Sequence, residues 1–253
     1  MGVRAVVHSR VGVDNRVGPD NHPTRKPRKK IMSDSCRTET SPGSPPSGET
    51  DDAMAGRFAV AWRTAWSRIA WLSTTRANAR AGLVADVLAS CVLLVAGASR
   101  GDMPFAALSA IVLCGLLLFT FVEYCFHRWL FHGTVDLLEQ GHRRHHEQPQ
   151  AYDSLPFFAP PLVALALAFV LSAFLPASVA LLFTGGIAAG YAAYGLTHSI
   201  FHNVRFRHAF GRRWAAAHHI HHRHPGSNFG VTTPLWDIVL RTRYASGRSR
   251  PGQ

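Results

Sequence analysis

The chain has 253 residues, enough for one domain and a tail, and its formal net charge is +12. Fourteen of its 27 lysines and arginines lie before residue 81, in a polar region, whereas the rest of the chain is mostly apolar. This division argues against a soluble nucleic-acid-binding protein, and it favours a membrane protein with basic loops.

The N-terminal residues 1–56 contain the basic run TRKPRKK and the polar run SPGSPPSGETDD. Such a composition cannot bury enough apolar surface to offset the entropy of ordering, so we expect a disordered basic tail. Two explanations compete with a regulatory tail: the segment rests on anionic lipid, or it precedes the true start of the protein, since Met32 and Met54 are both suitable starts. The C-terminal residues 245–253 are expected to be flexible as well.

Residues 57–80 place Trp62, Trp66 and Trp71 among regularly spaced arginines. Apolar residues recur there at helical spacing, which predicts an amphipathic helix lying at the membrane interface. The alternative is that this segment is simply the flank of the next membrane helix.

Four apolar segments follow, at about residues 81–98, 104–124, 157–175 and 177–196. Each is close to the roughly 20 residues that a helix needs to cross a hydrocarbon core about 30 Å thick. The connections SRGDMP and LPAS are short. We therefore predict an all-α integral membrane protein with about four transmembrane helices in two hairpins.

The basic residues predict how these helices are oriented. The two short connections carry a single arginine between them, whereas Arg57–Arg80, Arg143, Arg144 and Arg205–Arg223 lie at the opposite ends. The positive-inside rule therefore places both termini in the cytoplasm, together with a helical, histidine-rich cap.

Ten histidines form four regularly spaced groups at these cytoplasmic ends. They are His127 and His132 in H-x4-H, His142, His145 and His146 in H-x2-H-H, His198 and His202 in H-x3-H, and His218, His221 and His222 in a second H-x2-H-H. Ten imidazoles are too many for one ion with four to six ligands, and they suit two ions. Isolated histidines are usually loop or interface residues, and we interpret His8, His22 and His208 in that way; His219 and His224 are also left out of the ligand set.

The spacing has a physical reason. Residues at i, i+3 and i+4 of a helix share one face, so each H-x2-H-H motif predicts three imidazoles presented together. The H-x4-H pair lies about 140° apart on an ideal helix, so it requires a helix end or serves two different metals. Neutral imidazole binds Fe, Zn, Cu and Ni, so the residues alone do not name the metal.

Other polar residues near these groups are candidates for supporting roles. Glu123 precedes His127 by one helical turn and could accept a hydrogen bond from the second nitrogen of a ligand. Asp153 and Asp237 are candidates for the same role. Tyr191 and Tyr194 lie one turn apart on the helix that leads to His198, where they either line a substrate channel or pack as ordinary core residues.

The motifs EYCFHRWLFH, HRRHHEQP, GYAAYGLTHSIFH and HHIHHRHPGSNFGVTTPLWD, in this order, resemble the fatty acid hydroxylase / sterol desaturase superfamily of integral-membrane di-metal oxygenases. Within it, the likeness is closest to the fatty acid 2-hydroxylases, and it covers about residues 81–244. The resemblance implies that the ten histidines hold two metal ions, iron by preference and zinc as an alternative. It also implies O2 as co-substrate and hydroxylation of the fatty acyl chain of a membrane lipid.

The fungal relatives carry a fused cytochrome b5 domain, and nothing before residue 81 resembles one. The resemblance therefore implies a separate electron donor, similar to cytochrome b5 or ferredoxin.

Three other functions remain open at the level of sequence. One is oxidation of a sterol or carotenoid, by hydroxylation or desaturation, within the same superfamily. Another is a non-enzymatic membrane protein that binds or transports metal, although transporter sites tend to lie near the bilayer midplane. The last is a basic protein that acts on nucleic acid or on a membrane surface through its tail.

Overall fold

The computed structural model describes residues 47–133 and 136–246, and every regular element within them is helical. The helices are α1 (Ser47–Ser73), α2 (Arg76–Ala98), α3 (Phe105–Cys125), α4 (Asp136–Glu147), α5 (Ala159–Ser172), α6 (Ala177–Asn203), α7 (Ala209–Arg223) and α8 (Leu235–Val239). A π-helix, Phe126–Phe131, continues α3. The all-helical prediction is confirmed for this part of the chain, whereas the predicted disorder of residues 1–46 and 247–253 lies outside the described residues.

Within the described residues, three helices are long and apolar enough to cross a membrane, namely α2, α3 with its π-helical extension, and α6. The predicted third segment forms α5, which has 14 residues and is therefore about 21 Å long at 1.5 Å per residue. This is shorter than a hydrocarbon core of about 30 Å, so the prediction of four membrane helices is supported for three. Pro160 and Pro161 occupy the first turn of α5, where proline is tolerated but cannot extend the helix backwards.

Helix α6 is the centre of the apolar bundle, because α2, α3 and α5 each pack against it. The predicted hairpin pairing is corrected here for α2 and α3, which pack mainly against α6 rather than against each other. Small residues on α6 allow the close approach. At Gly115 of α3 and Gly186 of α6, a methyl group would overlap the backbone of the opposite helix.

The start of α2 is tied to the segment that precedes α5. The Thr75 side chain caps α2 by accepting a hydrogen bond from the backbone N–H of Asn78 at 3.2 Å. The buried Asn78 side chain donates to Ser154 Oγ at 3.0 Å and to the carbonyl of Leu155 at 2.9 Å, and it accepts from the N–H of Phe157 at 2.9 Å. These bonds hold the start of α2 beside the segment that leads into α5.

Helix α1 differs from the sequence prediction at both ends. It begins at Ser47, so residues 47–56 are helical although their composition predicted disorder. It ends at Ser73, so the predicted interfacial helix 57–80 is divided between α1 and α2. Several of its large apolar side chains, including Trp62, Trp66 and Trp71, are exposed.

Candidate metal centre

The four histidine motifs converge into two ligand groups. The first group consists of His127, His132, His142, His146 and His221, and the second group consists of His145, His198, His202, His218 and His222. Within each group, one ring nitrogen of every histidine lies within 4.8 Å of the others. The structure thus brings together all ten histidines that the sequence indicated as ligands.

A π-helix explains how the H-x4-H pair reaches one group. His127 lies in the π-helix Phe126–Phe131, and His132 follows its last residue. Because a π-helix joins residue i to residue i+5, it places residues five apart on one face, which an α-helix does not. The two rings are stacked, with their centroids 5.3 Å apart. Of the two possibilities left open by the sequence, the pair meets at a modified helix end and serves a single site.

Each H-x2-H-H motif is divided between the two groups. On α4, His142 and His146 enter the first group and His145 enters the second. On α7 the arrangement is reversed, because His218 and His222 enter the second group and His221 enters the first. The prediction that each motif presents three imidazoles together therefore requires a correction. The i and i+4 residues share a site, whereas the i+3 residue turns to the neighbouring one.

The contacts between ring nitrogens have the geometry of a metal coordination shell. His142 Nε2 lies 3.0 Å from the Nε2 atoms of His127, His132 and His146. One ring nitrogen carries either one proton or one lone pair, so it cannot form three hydrogen bonds at once. Two nitrogens bound at about 2.1 Å to one ion, at right angles, are about 3.0 Å apart. In the second group, His218 Nε2 lies 2.9 Å from His202 Nε2 and 3.1 Å from His222 Nε2.

The imidazoles are also in the protonation state that binds metal. Burial lowers the pKa of His132 to about 4 and the pKa values of His145 and His221 to about 3, and neighbouring imidazoles act in the same direction. Burial likewise lowers the pKa values of His142, His146 and His218. Only the neutral ring offers a lone pair to an ion. The residues present therefore fit two histidine-ligated metal ions.

Comparison with known proteins places this geometry in a family. Residues 112–242, about half of the chain, match the family model described as fatty acid hydroxylase. The chain belongs to the fatty acid hydroxylase family. This confirms the resemblance seen in the histidine motifs.

Relatives within the fatty acid hydroxylase family support the assignment. The chain is 32% identical over 166 residues to a dihydroceramide fatty acyl 2-hydroxylase of Arabidopsis thaliana, covering 60% of this chain and 68% of the relative. It is 33% identical over 155 residues to the fatty acid 2-hydroxylase of Mus musculus, covering 55% of this chain but only 41% of the mouse protein. The fold is similar to that of full-length scs7p, of which only the hydroxylase domain is visible, with a TM-score of 0.55, 24% identity and 70% of each chain covered.

The outer ring nitrogens of two histidines in the first group contact backbone carbonyls, which the sequence analysis did not predict. His127 Nδ1 lies 2.5 Å from the carbonyl oxygen of Phe229, and His221 Nδ1 lies 2.7 Å from that of Ser227. Both carbonyls belong to the loop between α7 and α8. Such contacts fix the orientation of a metal-binding ring.

Glu123 and Asp237 hold this loop rather than a histidine. Glu123 Oε1 accepts hydrogen bonds from the N–H groups of Val231 at 2.6 Å and Thr232 at 3.0 Å, and Glu123 Oε2 accepts from the Thr232 hydroxyl. Asp237 accepts from the N–H groups of Phe229 and Gly230, both at 2.8 Å. The two carboxylates therefore reach His127 indirectly, through the position of the Phe229 carbonyl.

The remaining candidate residues lie near the centre in different ways. Asp153 forms an ion pair with Arg144 of α4 at 3.6 Å, and burial raises the pKa of its carboxyl although Arg144 opposes this. Tyr194 stacks on the His198 ring, with centroids 5.5 Å apart, and lies 6.3 Å from the Tyr191 ring. The two tyrosines thus form an aromatic row within α6 that ends at the second group.

An open cavity of about 720 Å³ reaches both groups from outside the bundle. It is lined by the ligand rings His146, His202 and His222 and by Gln148, Pro149, Gln150, Ala151, His219 and Arg223. The His219 ring lies 5.8 Å from the His202 ring but belongs to neither group.

His224 stacks on Tyr244, with centroids 4.5 Å apart, and is exposed. His8 and His22 lie outside the described residues.

Proposed function

We propose that this protein is an O2-dependent membrane lipid hydroxylase that acts on a fatty acyl chain at a histidine-ligated di-metal centre. The observation that carries the proposal is the pair of five-histidine groups in a chain of the fatty acid hydroxylase family. The names of the relatives from Arabidopsis thaliana and Mus musculus support the carbon next to the acyl carbonyl as the position oxidised.

The net reaction is R–H + O2 + 2 e⁻ + 2 H⁺ → R–OH + H2O. Two bound ions supply activation of O2, and we propose iron because zinc, the alternative for the same ligands, has no redox chemistry. The protein contributes rigid positions for the ligand rings. Buried His127, His218 and His221 keep water away from the inner side of both groups.

The protein also guides the substrate. We propose that Tyr191 and Tyr194 line the passage by which an acyl chain reaches the second group. Their row ends in direct stacking on His198, and Tyr191 contacts Phe119 of α3 edge-on with centroids 6.0 Å apart. An acyl chain that follows this row would lie alongside aromatic surface up to the second group, beyond the point where Gly115 of α3 packs closely against Gly186 of α6.

We propose four crossings of the bilayer, with α4, α7 and the loop between α7 and α8 as a cytoplasmic cap. The Asn78 contacts place the approach to α5 at the start of α2, and Gly97 at the end of α2 packs against Leu182 near the start of α6. The short α5 and its flanks must therefore span the same depth as α2. Four crossings and the positive-inside rule support cytoplasmic termini.

The reaction needs two electrons, and we propose a separate donor similar to cytochrome b5 or ferredoxin. The cavity supports this proposal, because it brings the rings of His146, His202 and His222 to the surface. Arg223, at the rim of the cavity, would favour an acidic protein.

Oxidation of a sterol or a carotenoid is the nearest alternative, and the acyl hydroxylase names of the relatives weigh against it. Metal transport is a weaker alternative, because the ligand groups lie at the ends of the membrane helices rather than at their middle.

Production of the protein in a host that lacks 2-hydroxylated lipids tests the proposal. We expect hydroxylated acyl chains, detected by mass spectrometry of hydrolysed lipids, with the wild type and with the control variant His224→Ala. We expect none with His145→Ala. Equal product with His145→Ala and with the wild type would refute the proposal.

A further inference from the structure

We infer that the two metal sites are unequal, and that the second group is the exchange site, loaded and emptied through the cavity with His219 as a transient ligand. The inference rests on the proposed function only to the extent that both groups hold metal. It goes beyond that function, because it assigns different lifetimes to the two ions and a role to a histidine outside both ligand groups.

The first argument is the difference in support for the outer ring nitrogens. In the first group, His127 Nδ1 and His221 Nδ1 contact backbone carbonyls at 2.5 Å and 2.7 Å. In the second group, the buried Nδ1 atoms of His218 and His222 have no hydrogen-bond partner among the described residues. Loss of such a partner typically costs about 10- to 100-fold in metal affinity.

The second argument is the rigidity of the first group's support. The Phe229 carbonyl lies in a loop whose N–H groups from Phe229 to Thr232 all bond to Asp237 or Glu123. Both carboxylates are buried, with Asp237 1% exposed and Glu123 7% exposed. The partner of His127 therefore cannot move away without breaking several buried hydrogen bonds at once.

The third argument is access. Two ligands of the second group, His202 and His222, line the open cavity, whereas of the first group only His146 does so. His127 and His221 of the first group are 3% and 0% exposed. An ion that leaves the second group therefore has a direct path to the solvent-filled cavity.

His219 lies on that path. It lines the cavity beside His202 and His222, and its ring lies 5.8 Å from the His202 ring. It follows His218 on α7 but belongs to neither group. A ring in this position can bind an ion while the ligands of the second group release it one after another. This lowers the barrier both to the loss and to the binding of the ion.

Release of zinc from the full chain in detergent tests the inference. The purified protein is loaded with Zn²⁺ alone and mixed with an excess of a chelator that changes colour on binding zinc. We expect two phases of one equivalent each, with rates that differ by about 10- to 100-fold. His219→Ala should slow the fast phase, whereas the control His224→Ala, in the same HHIHHRH run, should change neither phase.

Asp237→Asn assigns the phases to the sites. Because Asp237 supports only the first group, this variant should accelerate the slow phase and leave the fast phase unchanged. Release in a single phase, acceleration of the fast phase by Asp237→Asn, or an unchanged fast phase in His219→Ala would overturn the inference. The wild-type phases decide the outcome even if Asp237→Asn does not fold.

The zinc measurement does not depend on the reaction catalysed. Two phases without any lipid hydroxylation would support unequal sites and refute the proposed function. A single phase in a protein that hydroxylates lipid would do the opposite.

Discussion

Glu123 and Asp237 share the backbone N–H groups of four consecutive residues, although they lie 114 positions apart in the chain. Asp237 takes the first two groups, from Phe229 and Gly230, and Glu123 takes the next two, from Val231 and Thr232. The loop between them carries the carbonyl that contacts His127. Two acids with no hydrogen bond to a candidate ligand among the described residues thereby influence where the His127 ring points.

The two acids differ in how well an amide can replace them. Asp237 Oδ1 and Oδ2 each accept a hydrogen bond from a backbone N–H, so Asp237→Asn must turn its NH2 group towards one of these donors. We expect a loss of about 1–3 kcal/mol in the free energy of unfolding, since one buried donor remains unpaired. Thermal unfolding in detergent and the metal content per chain would show the effect.

Glu123→Gln is the matched control for this prediction. Glu123 Oε1 accepts both N–H groups, and Oε2 contacts only the Thr232 hydroxyl, which can rotate to accept from an amide. The glutamine variant should therefore lose less stability than Asp237→Asn and retain more metal. An equal or larger loss in Glu123→Gln would contradict this account of the loop.

The division of the histidines predicts the metal content of ligand variants. His142→Ala removes the imidazole whose Nε2 atom contacts three others of the first group, and His198→Ala removes a ligand of the second group. The two groups share no histidine, so each variant should affect only one of the two sites. Each should therefore bind about one ion per chain instead of two. Elemental analysis of purified protein measures this ratio, with His224→Ala as the control that keeps two ions. Two ions retained with unchanged affinity in His142→Ala would contradict a ligand role for His142.

Glycine substitutions on α6 should have opposite effects according to position. A methyl group at Gly186 would overlap the Val112 carbonyl of α3, so Gly186→Ala should destabilise the bundle by about 1–3 kcal/mol. Gly195 lies on the same helix with nothing within 4 Å of its added carbon. Gly195→Ala should be neutral or stabilising by up to about 1 kcal/mol, since alanine favours a helix. Similar unfolding temperatures for the two variants would argue against the close packing of α3 on α6.

Asn78→Ala tests the connection between α2 and the approach to α5. The substitution removes three side-chain hydrogen bonds at a position that is 2% exposed. We expect a loss of about 1–3 kcal/mol for each buried group left unpaired. Ser67→Ala, which removes an exposed local bond within α1, should change stability by less than about 0.5 kcal/mol. Chemical denaturation of both variants, followed by circular dichroism, would separate the two effects.

The sequence was most informative where a signal is local. Helical spacing indicated the three pairs four residues apart that each lie within one group, because such residues share a face whatever the rest of the fold does: His142 and His146, His198 and His202, and His218 and His222. Apolar length identified α2, α3 and α6, because the length of an apolar run does not depend on the rest of the fold. At α5 the predicted segment 157–175 was longer than the helix Ala159–Ser172, whose first turn holds two prolines, and at α1 a polar composition hid a helix from Ser47 onwards.

The features that the sequence did not reveal depend on tertiary contacts. Every residue has a backbone carbonyl, so the amino-acid sequence does not mark Phe229 or Ser227 as partners of a histidine ring. The meeting of His127 and His132 depends on a π-helix at Phe126–Phe131, and the assignment of His145 and His221 to opposite groups depends on the directions of α4 and α7. The mainly α6-centred packing of α2 and α3 likewise depends on which helix faces carry the small residues.

On α4 and on α7, neighbouring residues of the chain enter different histidine groups. His145 and His146 enter separate groups, and so do His221 and His222. Consecutive Cα atoms are about 3.8 Å apart, a distance that covalent bonds fix. The distance between the two histidine groups is therefore limited at two places by a single peptide unit. Sliding of the membrane helices against one another can change this distance very little.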